Sequence, residues 1–103
     1  MTEHWSERYR LDAREWVELD AAANLLENLR SANLSQLMLG NNTDSVSRAE
    51  MLARASPQWS EYNEKMVEAR RKANLAKVKL EWDRMKFQEQ SSAEATARAE
   101  RRL

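Results

Sequence analysis

The sequence predicts an all-α protein: an antiparallel, coiled-coil-like helical hairpin with a short connector helix, assembling as a dimer into a helical bundle. Three observations carry this. The 103 residues hold one glycine (Gly40), one proline (Pro57) and 33% charged side chains, a composition of long helices with few turns. From Trp59 onward, apolar or small residues recur at alternating steps of three and four (Trp59, Tyr62, Met66, Ala69, Ala73, Ala76, Leu80, Phe87), which is a heptad seam. The same alternation runs through Trp5, Tyr9, Asp12, Trp16, Leu19, Ala23, Leu26, Arg30, Asn33 and Leu37, with Asp12, Arg30 and Asn33 as polar intrusions.

The chain reads as one domain over residues 1–103. The first helix is expected over about 6–39, ending at Gly40-Asn41-Asn42, residues that tolerate the left-handed conformation of a helix terminus. Ser47-Arg48-Ala49-Glu50 fits a capping box, which predicts a connector helix over about 47–55. Ser56-Pro57 then restarts the chain, serine as cap and proline at the first helical position. The second long helix is expected over about 57–90. Beyond it, the alanine-rich stretch 91–103 favours helix but has almost no apolar face to dock, so a frayed helical tail is expected. Arg98, Arg101 and Arg102 there suit the negative end of a helix dipole.

Charge sets the expected register. Residues 1–30 carry seven acids against four arginines, whereas residues 64–86 carry eight bases against four acids. Laid antiparallel, Glu27 meets Arg70, Asp20 meets Lys77, Glu15 meets Lys79 and Trp16 meets Leu80. Asp12 and Asp83 fall opposite each other; a carboxylate pair in the seam could bind a cation or raise a pKa, but both are expected to reach out toward Arg84 and solvent.

A second stripe, Val67, Leu75, Val78, Trp82 and Met85, lies about 160° around the second helix from the seam. Leu11, Ala22, Leu25, Leu29 and Ala32 form a comparable stripe on the first helix. Stripes of this kind mark an interface, and a homodimer closing them into a four-helix bundle is the simplest solution. The alternative is that Met51 and Leu52 of the connector fold back over one of them. Lys65, Lys72, Lys79 and Lys86, seven apart, flank one shoulder of the seam. With internal pairing assigned to Arg70, Lys77 and Lys79, the surplus bases Lys65, Arg71, Lys72, Arg84 and Lys86 are the candidate nucleic-acid contacts.

Catalytic chemistry is poorly provided for. His4 is the single histidine and there is no cysteine, so zinc sites of the usual nitrogen–sulfur kind are not expected, nor is a disulfide framework. Phosphate-cradling loops need more glycine than this chain has, and no Glu-x-x-His pair for a di-iron bundle occurs. The expectation is a protein that is not an enzyme and takes no cofactor. The acidic, polar start of the chain predicts no secretory leader, and no apolar run predicts a membrane span; a cytoplasmic location follows as the expectation.

The set Ser47-x-x-Glu50, Ala55-Ser56-Pro57-x-x-x-Glu61-Tyr62, Glu68-Ala69-Arg70, Lys72-Ala73-Asn74, Phe87, Ser91 and Ala95-Thr96-x-Arg98-Ala99-Glu100 resembles a family of small, uncharacterised bacteriophage and prophage proteins over about residues 40–103. Gln90-Ser91-Ser92 stands where those proteins carry a tryptophan-arginine-serine segment. The resemblance implies a phage or prophage origin in a bacterial host, among replication and recombination genes, and no established activity. The expected function is thus a non-catalytic phage accessory protein, an oligomeric interaction module for a phage or host protein. The alternative is a backbone-directed, salt-sensitive nucleic-acid binder using the basic ladder.

Overall fold

Alternating threes and fours place one stripe of each long helix on a common side, and in the computed structural model, which describes residues 2–102, those stripes meet. Among the described residues the helices are α1 (Thr2–Asn28), α2 (Arg30–Leu39), α3 (Val46–Arg54) and α4 (Pro57–Arg102). They form an elongated all-α bundle of 85 × 16 × 15 Å, with α1 packed along α4 and α3 packed on α2. Among the described residues its buried apolar positions are mostly alanines: Ala23 on α1, Ala49 and Ala53 on α3, Ala73 and Ala76 on α4, with Trp59 the one large member. Small residues let the helix axes approach closely. Trp16, Leu19, Leu26, Met66 and Leu80 flank them, partly buried.

The contacts between α1 and α4 run in opposite order along the two helices. Arg70 holds Glu27 and Asp20, Lys79 holds Glu15 and Asp12, and Trp5 meets Trp82. Arg70 is the main fastening. Its Nε and Nη2 donate to the two oxygens of Glu27 at 2.8 and 2.9 Å, Nη1 donates to Asp20 Oδ1 at 2.7 Å, and Nη2 also donates to Asn24 Oδ1 at 2.6 Å. Asp20 is therefore taken by Arg70 and not by Lys77. A guanidinium presents five N–H groups in a fixed fork and can serve two carboxylates, which an ammonium on a flexible stem does less well. Hydrogen bonding to Arg70 holds the Glu27 carboxyl below its usual range. Arg70→Met is expected to destabilise the fold modestly, because the cluster is only partly buried and solvent screens it. Urea unfolding at low and high salt checks it, with the larger loss expected at low salt.

The expected single first helix is in fact two, parted at Leu29, whose φ of −91° and ψ of 2° leave the helical basin. No glycine or proline lies there. The Tyr62 hydroxyl donates to the Leu26 carbonyl, the acceptor that an unbroken helix gives to the N–H of Arg30. A side-chain donor inserted into the ladder is a recognised cause of a kink. Leu29 still bonds back to Leu25 and accepts from Asn33, so the two helices stay nearly continuous.

Two local expectations change as well. α2 does not end on a left-handed glycine: Gly40 has φ −72° and ψ −15°. The Asn41 side chain instead donates to the Leu37 carbonyl at 2.9 Å, satisfying one of the orphan acceptors. The cap of α3 is Ser45, not Ser47; its hydroxyl accepts from the Arg48 N–H at 3.2 Å, and Glu50 pairs with Arg54 rather than reaching back. α4 continues through Ser91-Ser92 to Arg102 without a break, as its run of strong helix formers allows. Ser56-Pro57 behaves as expected, the serine hydroxyl accepting from the Trp59 N–H at 3.3 Å.

Candidate partner-binding face

The outer side of α4 carries the apolar stripe. Val67, Leu75, Val78, Trp82 and Met85 are all exposed, because the heptad that turns Ala73, Ala76 and Asp83 inward turns these five toward the outer side of α4, where the edge at Trp82 still reaches α1. Trp82 is the one with a fixed ring. Trp5 meets it edge-on at 5.5 Å between centroids, and the Lys86 ammonium sits 5.4 Å from its centroid. The sequence placed Trp5 in the seam and Trp82 on the other face; the structure joins them where α1 begins. On α1, Leu11, Leu25 and Leu29 are exposed too. α3 covers neither stripe, since Met51 and Leu52 are themselves exposed while Ala49 and Ala53 make its contact with α2.

The basic residues do not form one surface. Lys65 and Lys72 line a groove of about 460 Å³ over Leu19, Ala22 and Ala69, but Glu64 and Glu68 line it with them. A second groove of about 310 Å³ continues past Leu75 and Ala76, where Lys72 and Lys79 face Glu15. Arg71 is paired with Glu68 at 2.7 Å and Lys86 with Glu89 at 3.3 Å. Arg84 lies elsewhere, beside Ser6, Tyr9, Phe87 and Gln88. Of the five surplus bases, Lys65, Lys72 and Arg84 make no ion pair among the described residues.

Two features differ from the expectation drawn from the sequence. The first is the Asp12–Asp83 pair, whose carboxyls face each other inside the α1–α4 seam, Asp83 only 1% exposed. An aspartate stem is too short to snorkel as lysine and arginine do, so neither reaches solvent as expected. Taken as carboxylates, both oxygens of Asp83 and Oδ2 of Asp12 are buried without a donor. Burial, then the neighbouring Asp12 carboxyl, pushes Asp83 up to about 6. Asp12 is held low, chiefly by the hydrogen bond from Asp83 and next by Lys79, whose Nζ is 3.4 Å from Oδ1. One proton shared between the two carboxyls is the arrangement this geometry favours.

The second is the junction around Trp59, where α2, α3 and α4 meet. Arg30 of α2 lies 4.9 Å and Arg54 of α3 5.9 Å from its ring centroid, and the Tyr62 ring stacks alongside at 6.3 Å. Arg30 also donates to Asn63 Oδ1 at 3.1 Å. The arginine that looked like an intrusion in the first seam is thus the cation over this tryptophan.

No helix among the described residues is long and apolar enough to cross a membrane, and no three of its His, Cys, Asp or Glu side chains gather as a metal site would require. Compared with known protein families, with curated proteins and with solved structures, the chain matches none.

Proposed function

We propose that this chain is a non-catalytic interaction module, an antiparallel helical hairpin that self-associates and presents its faces to a phage or host protein. The observation that carries the reading is the row of exposed apolar side chains on α4. Five such residues along one helix face, Trp82 among them, have a composition suited to the centre of an interface. The resemblance over about residues 40–103 supplies the setting: a phage accessory protein acting in the host cytoplasm, in replication, recombination or host takeover.

Sedimentation equilibrium tests it. The unmodified chain is expected to sediment above its monomer mass of 12.1 kDa, and Leu75→Lys combined with Trp82→Lys is expected to return it to monomer with an unchanged helical circular dichroism spectrum. A wild-type monomer at high concentration would sink the reading.

The nucleic-acid alternative draws support from Lys65 and Lys72, which close no ion pair among the described residues, although the Lys72 charge acts on Glu68. Against it, Glu64 and Glu68 share their groove, so a phosphate backbone laid there meets like charge. Anisotropy titration of labelled single-stranded and duplex oligonucleotides at low salt, where electrostatics are strongest, is expected to give no binding. Salt-sensitive binding abolished by reversing Lys65, Lys72 and Lys86 would reinstate the alternative.

A further inference from the structure

A two-fold interface must match its own reversal, and the outer side of α4 does. Counting outward from Leu80, Leu75 answers Met85, Val78 answers Trp82 and Arg71 answers Glu89. Farther out, Glu68 answers Ser92 and Glu64 answers Thr96. From Glu64 to Thr96 these positions step by fours and threes, so they are a second heptad seam on the outer side of α4, bordered on one edge by the grooves that Glu64, Glu68 and Leu75 share with α1 and by the Trp5–Trp82 contact. Its middle is open: Leu75 is 55% exposed, Val78 64%, Trp82 49% and Met85 56%.

We propose that two copies of this chain pack back to back through this seam, α4 antiparallel to α4, with the two-fold axis passing near Leu80. This rests on the reading that the chain self-associates, and it specifies the partner, direction and register. Leu75 of each copy layers on Met85 of the other, and Val78 on Trp82, giving four apolar layers. Arg71 of each copy meets Glu89 of the other, closing the layers at both ends. In the single chain these two are held only by exposed partners three residues away, Glu68 and Lys86. Exposed pairs of that kind contribute little, so exchanging them across the interface sacrifices little.

The α1 stripe fails the same test. Reversed about Asp20 it sets Leu29 on Leu11, but Glu15 on Leu25 and Glu18 on Ala22. It would press carboxylates against apolar side chains, so a second copy of α1 is not its occupant.

The chain has no cysteine, so single spin labels can be placed cleanly. In the proposed dimer, labels on Glu64→Cys stand 32 residues apart along the axis, about 48 Å, and those on Thr96→Cys likewise, whereas those on Glu81→Cys stand close together. Pulsed dipolar spectroscopy reads these separations. Short distances at all three positions mean a parallel pair and overturn the proposal while leaving self-association intact; the absence of any intermolecular distance overturns both. The charge pair is tested independently. Arg71→Glu is expected to weaken the dimer about ten-fold or more, and adding Glu89→Arg to restore it to within about three-fold. A double variant no tighter than the single one would overturn the register.

Discussion

Trp59→Ala is expected to destabilise the protein by about 3–5 kcal/mol, the largest loss available to any single side chain here. Among the described residues the other buried apolar positions are alanines, so removing Trp59 opens the core where they leave little to lose. Its loss also strips Arg30 and Arg54 of the ring they lie over and loosens α2 and α3 from α4 at the bend. Urea unfolding followed by circular dichroism measures the effect. Trp59→Phe should recover part of the stability, because it returns volume and an aromatic face. A loss under 1 kcal/mol for the alanine variant would show that the junction is held by backbone contacts instead.

Asp83→Asn is expected to stabilise the protein, and by an amount that depends on pH. The folded chain holds the proton on Asp83 more tightly than the unfolded chain does. The stability tied to that proton is therefore full below the ordinary aspartate range and lost as pH rises through about 6. Asp12 has the opposite sense: its lowered pKa contributes stability above the ordinary range, lost as pH falls below it. The groups facing the pair are Arg8 and Lys79, both favouring the charged forms, but neither prevents the rise at Asp83. The unmodified protein should thus be less stable at pH 8 than at pH 5. An amide at position 83 keeps a donor for Asp12 and carries no charge to bury, so the variant should gain roughly 2 kcal/mol above pH 7. Thermal unfolding across pH 4–9 gives the answer. A wild-type profile with no fall between pH 5 and pH 8 would mean that Asp83 titrates as an ordinary aspartate.

What could be read from the sequence was whatever neighbouring residues decide among themselves. Ser56-Pro57 starts a helix by local chemistry, and it does so in the structure. The heptad of α4 placed Ala73 and Ala76 inside and Val67, Leu75, Val78, Trp82 and Met85 outside, because periodicity alone determines which side of a helix a residue occupies. Glu27 with Arg70 and Glu15 with Lys79 followed from matching two charged flanks. The misses share a different cause. Ser45 and Ser47 both offer a plausible cap, and local pattern does not rank them. The break at Leu29 is made by the Tyr62 hydroxyl, 36 residues from the Leu26 carbonyl it donates to, and Arg30 is drawn to a ring on another helix. Asp12 and Asp83 were aligned correctly, but their burial depends on how closely alanine lets the helices approach, a property of the pair and not of either strip of sequence.

The narrowness of the molecule has a consequence for how it moves. A compact chain of this length has a radius of gyration of about 13 Å, whereas this one has 23.2 Å, the value of a globule of roughly 490 residues on the same scaling. A single copy will therefore leave a gel-filtration column far ahead of globular standards of its own mass. In solution it spins readily about its length and turns end over end slowly. Because α1 and α4 lie along that length, their amide N–H bonds point nearly parallel to it. Most backbone amides will then sense only the slow end-over-end turning, and nuclear relaxation will report a particle several times heavier than the chain.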